Sequence, residues 1–274
     1  MAKQTGLHLI KGKVGEYSYY RSAGVSAPLM RRINQGMSAR VKNGDEYANT
    51  RLNNAEFKNA QGLATFLFNA VPNRKASMMR RFAIAEMTKS GLEFIKAGTG
   101  NWGARIPEAS MGDIAVDLLE NRSKSGPYQG EFGNVAFSIS GSSYTISMDY
   151  DAITATDLLS KGITGFYGLV VKGALAEVVD TDGFVLQHFG VSSILPNDYS
   201  IEESGEQQDL AEFVPSYNTL GMSPAGFVSA QAAANNGMYA IVSFIPYRQI
   251  GSQRHTLYEY ATFACLNLGA IPTA

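Results

Sequence analysis

The sequence has a single cysteine, Cys265, among 274 residues. One thiol cannot form an intrachain disulfide or a cysteine-based metal site. It lies in the apolar run 263–266, which favours a small core residue over a nucleophile. The three histidines, His8, His188 and His255, are far apart, and none stands at metal-ligand spacing from another. The sequence therefore predicts no metal and no cofactor.

Long hydrophobic runs are also missing. No apolar segment is long enough to span a membrane. The first residues, MAKQTGLHLIKGKVGEY, lack the continuous apolar segment of a signal peptide. We therefore expect a protein that is made and folded in the cytoplasm and has no membrane span.

No catalytic constellation can be recognised. Residues 98–103, GTGNWG, match G-x-G-x-x-G by letter, but they follow a predicted helix and precede Pro107, whereas a dinucleotide fingerprint joins a strand to a helix. Residues 180–183, DTDG, start like a calcium loop, yet Val191 stands where the bidentate glutamate belongs. Turns are the better interpretation of both segments. The sequence therefore predicts a protein that is not an enzyme.

Charge is present but unevenly distributed. The formal net charge is -1. Residues 1–89 contain 15 Lys and Arg against 5 Asp and Glu, whereas residues 90–274 contain 8 against 19. An asymmetry of this size indicates contact with nucleic acid or with another anionic surface at the basic end.

Two helices joined at Pro72 are predicted in the basic part. The first begins after Asn43, with Glu46 three residues later at the spacing of a capping box. Pro72 ends it, because proline disfavours helical geometry in the preceding residue. The second runs from a cap at Asn73 to Gly98. The apolar positions recur mostly at three- and four-residue steps: Leu52, Ala55, Leu63, Phe66, Leu67, Ala70 and Val71 in the first helix, and Met78, Phe82, Ala85, Leu92 and Ile95 in the second.

Basic residues of the second helix recur at seven- and eight-residue steps. Arg74, Arg81, Lys89 and Lys96 therefore lie on one side of the predicted helix. This side is either an anion-binding face or a solvated charged face.

A β-hairpin is predicted before these helices. Strands at residues 7–11 and 17–21 flank a turn that contains Gly12 and Gly15, and a further extended segment covers residues 29–33. A hairpin alone is marginal in water. We expect this one to pack on its own helices or on a neighbouring subunit.

The acidic remainder predicts one short helix and then strands. Residues 111–120 form the helix, and strands cover residues 165–171, 184–189, 239–245 and 257–268. The hairpin 135–148 turns at residues 141–143, and a long acidic loop is expected between residues 196 and 224. Consecutive strands favour an antiparallel β-sandwich, so the predicted class is α+β. The predicted domains are a basic region, 1–125, and an acidic sandwich, 126–274.

The opening of the chain resembles a family of uncharacterised proteins from Bacteroidota and their phages. That family begins with a Lys-Gly-x-x-Gly hairpin and an aromatic–aromatic–basic strand, followed by an Arg-x-Asn-x-x-Glu-Phe helix start. The matching residues are Lys11, Gly12, Gly15, Tyr19, Tyr20, Arg21, Arg51, Asn53, Glu56 and Phe57. The resemblance covers about the first third of the chain. It implies a fold organisation and no established activity.

These observations lead to the hypothesis of a self-assembling structural protein of a phage virion, a capsid protein or another particle component. Its expected partners are further copies of the chain, other virion proteins and genomic nucleic acid, which Lys and Arg contact through phosphates without sequence specificity. The predicted contact residues are Arg21, Arg31, Arg32, Arg40, Lys42, Arg74, Lys75, Arg80 and Arg81. For each of them, a solvated basic surface or a salt bridge to an adjacent subunit is the alternative.

Two other functions stay open. One is a nucleic-acid-binding protein without sequence specificity, in which Tyr17, Tyr19 and Tyr20 stack on bases, although tyrosines on strands are commonly ordinary sheet packing. The other is a β-sandwich binding module or an enzyme, which requires a pocket with perturbed carboxylates.

Overall fold

The computed structural model describes residues 2–3, 11–21, 28–33, 36–71, 79, 82–120, 122, 134–180 and 183–273. Contacts divide the chain into two compact units, Met1–Asn54 and Ala55–Ala274. The predicted division between residues 125 and 126 followed charge and composition, and it stays a prediction.

The described residues contain helices and antiparallel sheets, so the α+β class is confirmed. The α-helices are α1 (Met37–Asn43), α2 (Ala48–Ala70), α3 (Ala83–Ala97), α4 (Met111–Leu119), α5 (Ala152–Ser160) and α6 (Pro224–Ala232). The strands are β1 (Ala2–Lys3), β2 (Gly12–Val14), β3 (Tyr17–Tyr20), β4 (Leu29–Arg32), β5 (Asn134–Ser140), β6 (Ser143–Asp151), β7 (Gly165–Asp180), β8 (Gly183–Ser200), β9 (Gly205–Phe213), β10 (Asn236–Ile250), β11 (Gln253–Thr256) and β12 (Thr262–Gly269).

The N-terminal unit contains a four-stranded antiparallel sheet in the order β1-β4-β3-β2. Its central hairpin joins β2 to β3 through Gly15, whose φ of 57° suits glycine because a side chain would be strained there. A hairpin is present and turns at Gly15 as predicted, but Gly12 was wrongly placed in the turn, because it belongs to strand β2. Of the first predicted strand, residues 7–10 lie outside the described residues. Strand β4 confirms the extended segment predicted at residues 29–33.

The C-terminal unit is built on a five-stranded sheet in which β10 pairs with β7, β11 and β12, and β7 pairs with β8. Alternate residues of a strand point to opposite faces. On β10, Tyr239 and Ile241 pack with apolar residues of α2 and α4. Their neighbours Ala240 and Val242 pack with β6 and β9. Because both faces of β10 are covered, its sequence is an almost continuous run of apolar residues.

A second sheet has three strands in the order β5-β6-β9. Strand β6 alternates buried and partly exposed residues: Tyr144, Ile146, Met148 and Tyr150 are buried, and the residues between them are not. This is the pattern of an antiparallel sheet with one face in the core and one in water. The buried residues of this sheet share one apolar cluster with β7, β10, α5 and α6.

Local signals located several elements correctly. Helix α3 ends at Gly98, whose N–H donates to the carbonyl of Ile95, and α4 agrees with the predicted helix 111–120. The β5–β6 hairpin turns at residues 141–142, as expected. Strand β7 ends at Asp180, and strand β8 begins at Gly183. These two residues are paired, which agrees with the hairpin corner predicted there.

Several expectations were wrong. The second predicted helix starts after Asn73, whereas α3 begins at Ala83. Leu52 and Ala55 of the first predicted stripe are exposed. The predicted strand 257–268 begins only at Thr262, after the 3-10 turn Tyr258–Tyr260.

Other corrections concern a helix cap, the second stripe and a loop. Asn43 is the last residue of α1 and caps no helix, because α2 begins only at Ala48 after the 3-10 turn Asp45–Tyr47. Phe82 and Ala85 are exposed and take no part in a buried stripe. The expected acidic loop instead contains β9, which pairs with β6 along its length because Leu210, Ala211 and Phe213 are buried in the core.

A further wrong expectation concerns the order of elements. Helices α5 and α6 interrupt the strands that were expected to follow one another. Both begin at side-chain caps, since Asp151 accepts from the N–H of Thr154 and Ser223 accepts from that of Gly226. Those two caps were readable signals that the sequence analysis missed.

Candidate interaction surfaces

The predicted basic contact residues divide into two groups. Arg74, Lys75, Arg80 and Arg81 lie outside the described residues. The other five belong to the N-terminal unit, and all of them are exposed there: Arg21, Arg31, Arg32, Arg40 and Lys42. The structure therefore places the described part of the predicted basic set on one unit.

Two of these arginines are paired with carboxylates of the same unit. Arg32 Nη2 lies 2.8 Å from Glu16 Oε2, and its Nε donates to the same oxygen. Arg40 Nη2 lies 3.3 Å from Glu46 Oε1. Exposed pairs of this kind contribute about 0–1 kcal/mol to stability. They do neutralise part of the positive charge of the unit.

Arg31 lies on the other face of the sheet from Arg32. The register places Lys13, Ser18 and Arg31 in one row across β2, β3 and β4. The Arg31 guanidinium lies 5.5 Å from the centre of the Tyr20 ring, a cation–π distance. We name this side of the sheet, with Lys13, Tyr20 and Arg31, the basic face.

The opposite side of the same sheet is mostly apolar. Val14 stands opposite Tyr17, and Tyr19 stands opposite Met30, so that the four side chains form two neighbouring rows. Val14 is 52% exposed and Tyr17 is 41% exposed. We name these four residues the apolar face of the N-terminal sheet.

The described part of the N-terminal unit has almost no core of its own. Among its described side chains, only Pro28 and Leu29 are buried, and α1 buries none. Each residue of β2 is exposed. A small sheet needs a covered hydrophobic face to be stable. The apolar face is therefore a candidate for the surface that a partner covers.

The C-terminal unit carries an apolar groove of about 600 Å³ between α2 and α3. Its lining residues are Phe57, Gln61, Phe68, Phe82, Ile84, Ala85, Thr88, Lys89 and Leu92. Phe57 is 47% exposed and Phe82 is 57% exposed. Exposed aromatic side chains that line one groove are typical of a docking surface and differ from scattered surface residues.

A buried ion pair lies near one end of this helix pair. Both carboxylate oxygens of Glu56 accept from Arg105, at 2.8 and 2.7 Å, and Oε1 also accepts from the N–H of Gly103 at 2.9 Å. These bonds, the one from Arg105 above all, hold the pKa of Glu56 below its ordinary value despite burial. Arg105 also donates to the carbonyl of Lys96. The pair fastens the glycine-rich turn 98–103 to α2 and α3.

A polar network joins four strands at one end of the five-stranded sheet. The Tyr247 hydroxyl donates to Asp198 at 2.7 Å, and Arg254 pairs with the other oxygen of that carboxylate. Burial, together with the hydrogen bond to Asp198, raises the pKa of Tyr247 to about 12. The Tyr167 and Tyr247 rings lie 5.1 Å apart. These groups satisfy one another's hydrogen-bonding capacity and charge, so the network joins β7, β8, β10 and β11.

Lys172 is a charged residue inside the core between the two sheets. It is 3% exposed, and its ammonium lies 4.0 Å from the centre of the Phe213 ring. Burial lowers its pKa. Glu177, further along β7, is also buried, and burial raises its pKa. The two residues lie in one strand, on opposite faces.

The outer face of the three-stranded sheet is acidic. Asp149 on β6 and Asp209 and Glu212 on β9 are exposed on this face. Neither the β5–β6 hairpin nor β9 contains a Lys or Arg. In the part of the chain that the structure describes, no group of three or more His, Cys, Asp and Glu residues is arranged to hold a metal ion.

Sequence reasoning missed the groove and the Glu56 pair. Phe57 was assigned to no apolar stripe, and the burial of Glu56 depends on Arg105, 49 residues away. Within the described ranges, no helix is long and apolar enough to cross a membrane. No family model and no curated protein matches the chain.

Proposed function

We propose that the chain is a self-assembling structural protein of a phage particle, a capsid protein or another component of the virion. The main support for this proposal is that the four-stranded sheet of the N-terminal unit buries almost none of its described side chains. Such a sheet gains most of its stability from packing against something else. Another subunit supplies that surface in an assembly.

Charge separation supports the same proposal. The exposed arginines of the N-terminal unit and the acidic outer face of the three-stranded sheet carry opposite signs. Opposite surfaces on identical subunits attract in a head-to-tail arrangement, and this attraction weakens as salt screens it. Phosphates of a packaged genome are the other partner that the basic residues suit.

The architecture of the C-terminal unit suits a rigid building block. The three-stranded and five-stranded sheets share one core, to which β6, β7, β9 and β10 all contribute. We propose that these two sheets form the two layers of a small antiparallel β-sandwich, with the helices as a third layer. A doubly covered central sheet resists deformation when subunits press on one another.

The test is the mass of the purified chain by light scattering, with the ratio of absorbance at 260 and 280 nm, at low and high salt. Large uniform assemblies with nucleic-acid absorbance are the expected result for a capsid role. Assemblies without nucleic acid indicate a tail, a fibre or another filament. A monomer that binds nothing at either salt concentration overturns the proposal.

A second candidate is a nucleic-acid-binding protein without sequence specificity. The observation in its favour is the basic face, where Arg31 lies over Tyr20 and beside Lys13. Aromatic and guanidinium groups on a sheet suit stacked bases of a single strand. Arg31→Glu is expected to weaken binding of a single-stranded oligonucleotide, and the matched charge reversal Lys161→Glu in the C-terminal unit leaves it unchanged. Equal effects of the two substitutions contradict this candidate.

A further inference from the structure

We propose that Asn43 is a site of spontaneous deamidation, at which a carboxylate replaces the neutral side-chain amide. The sequence contains two Asn-Gly pairs, Asn43-Gly44 and Asn236-Gly237. Glycine has no Cβ, so its backbone nitrogen can approach the side chain of the preceding residue more closely than that of other residues can. The two pairs have the same chemistry but different surroundings, and the structure therefore decides which of them reacts.

The reaction requires only the chain, water and hydroxide. Hydroxide removes the proton of the Gly44 backbone N–H, and the nitrogen then attacks Cγ of Asn43. A new C–N bond closes a five-membered succinimide ring, the bond between Cγ and Nδ2 breaks, and Nδ2 takes a proton from water and leaves as ammonia. Water opens the ring at one of its two carbonyls. Aspartate or isoaspartate results at position 43, so that one water is consumed and one ammonia is released.

The side chain of Asn43 can reach the geometry that this attack needs. Asn43 is the last residue of α1, its side chain is exposed, and no hydrogen bond holds that side chain among the described residues. The Gly44 N–H donates to the carbonyl of Arg40 at 2.7 Å. The last turn of α1 must therefore open before the nitrogen can attack.

Opening of that turn costs little, because α1 is weakly held. The helix has seven residues, buries none of them and lacks a side-chain hydrogen bond at its N-cap, Gly36. Helices shorter than about 12 residues are marginal in water, and most of their stability comes from packing of an apolar face. Arg51 donates to the carbonyls of Val41 and Gly44, but these bonds leave the Asn43 side chain unrestrained.

The second pair is held in place on both sides of the reacting bond. The Asn236 Nδ2 donates to the carbonyls of Gln231 and Ala233, and its Oδ1 accepts from the N–H of Ile271 at 2.9 Å. Gly237 is buried in β10, where an added Cβ would meet a backbone nitrogen at 2.5 Å. Attack at this pair requires the start of β10 to open, and opening of a covered strand costs more than fraying of a short helix.

Deamidation at Asn43 changes the charge of the N-terminal unit. Arg40 and Lys42 lie in the last turn of α1, on either side of the chain position that would gain the carboxylate. The new negative charge offsets one of these two positive charges, and it is repelled by the partial negative charge at the C-terminal end of the helix. The modified chain is therefore less basic on the unit that carries the exposed arginines, and it should elute earlier from a cation-exchange column.

The test is peptide mapping by mass spectrometry after the purified chain is incubated in mildly alkaline buffer made with heavy-oxygen water. Opening of the ring places one heavy oxygen in the product, which distinguishes deamidation during the incubation from deamidation before it. The expected rate at Asn43 is about tenfold or more above the rate at Asn236, because local opening is easier in α1. The rate at Asn43 should rise with pH, since the attacking nitrogen must lose its proton.

Two controls assign this difference to the fold. In concentrated urea both Asn-Gly pairs should react at similar rates, because the unfolded chain holds neither of them. Asn43→Gln should remove the early-eluting form of the folded protein, since the longer side chain closes a six-membered ring much more slowly. Asn54→Gln is the matched substitution, because Asn54 is exposed in α2 and precedes alanine, and it should leave that form unchanged.

Three results overturn the proposal. One is an equal rate at Asn43 and Asn236 in the folded protein. Another is an intact Asn43 in the folded protein over the time in which the chain in urea reacts. The third is a ratio of the two rates that stays the same in urea, because the flanking sequence and not the fold would then set it.

Discussion

The two units of this chain both contain antiparallel sheets, yet they bury their residues very differently. Each residue of β2 in the N-terminal unit is exposed, whereas β10 in the C-terminal unit is buried from Gly237 to Tyr247. Helices α2 and α4 cover one face of β10, and the three-stranded sheet covers the other. In the N-terminal unit, no comparable pair of layers covers the described strands.

The comparison shows where the stability of each sheet originates. Burial of apolar surface contributes roughly 25 cal/mol per Å², so a doubly covered strand is stabilised within its own subunit. A sheet with an exposed apolar face obtains the same contribution only from a partner. Substitutions in the C-terminal unit should therefore change folding, and exposed substitutions in the N-terminal unit should change assembly.

A large loss of stability is expected for Glu56→Ala. The substitution removes the charge-assisted hydrogen bonds that Arg105 donates to Glu56, and loss of a hydrogen bond to a charged group costs about 1.5–3 kcal/mol. Urea denaturation of the monomer measures this loss. The control is Glu93→Ala, since Glu93 forms an exposed pair and its loss costs under about 1 kcal/mol. Equal losses in the two variants would contradict the structural role of the Glu56 pair.

The same pair predicts an acid dependence. The pKa of Glu56 is lower in the folded state than its ordinary value of 4.5. Its contribution is therefore fully present above about pH 4.5 and is lost as the pH falls through the folded value. The difference in unfolding free energy between the wild-type protein and Glu56→Ala should shrink in acid. A constant difference would contradict the assignment.

A somewhat smaller loss is expected for Gly173→Ala. A Cβ at this position would occupy the space that the ring and hydroxyl of Tyr239 already fill, and overpacking of a core typically costs about 1–3 kcal/mol. Gly62→Ala is the matched control, because an added Cβ at this position in α2 would have nothing within 4 Å. In the control variant, the free energy of unfolding should rise by about 0.5–1 kcal/mol, because alanine has a higher helix propensity than glycine. Thermal unfolding measures both changes, and a stable Gly173→Ala variant would contradict the close packing of β7 on β10.

Lys172→Met should stabilise the C-terminal unit by about 1–3 kcal/mol near neutral pH, because it removes the cost of desolvating a charged group in the core. The pKa of Lys172 is lowered in the folded state, so the unfolded chain binds the proton more tightly and wild-type stability rises with pH up to about pH 10.5. Denaturation from pH 7 to 10 should show this rise in the wild-type protein and a weaker one in the variant. Lys58→Met, at an exposed position in α2, is the control.

The smallest effect on folding is expected for Tyr17→Ala. Tyr17 is 41% exposed in a unit with little core, so its removal should change the unfolding free energy of the dilute monomer by less than about 0.5 kcal/mol. The corresponding truncation in the C-terminal unit, Tyr239→Ala, should cost about 3–5 kcal/mol, because Tyr239 is fully buried. Similar losses in the two variants would remove the distinction between the two units.

Local chemistry predicted much of the secondary structure but little of the candidate docking site. A turn was expected at Gly12 and Gly15, and it lies at Gly15, whereas Gly12 belongs to strand β2. The groove was not expected, because Phe82 was assigned to a buried stripe and is instead 57% exposed. Helical periodicity identifies which side chains share a face, but it does not indicate whether another layer covers that face.

Sequence alone was enough for the α+β class, the C-terminal end of α3, the bounds of α4 and the β5–β6 turn, because neighbouring residues supply these signals. Only the tertiary structure shows that residues 206–212 form a strand, since they pair with β6 about 60 residues earlier and bury Leu210 and Ala211 in the core. It also decided that Glu56 is buried, since Arg105 compensates its charge. The physical reason is the same for both: the stabilising partner is distant in the chain and becomes a neighbour only on folding.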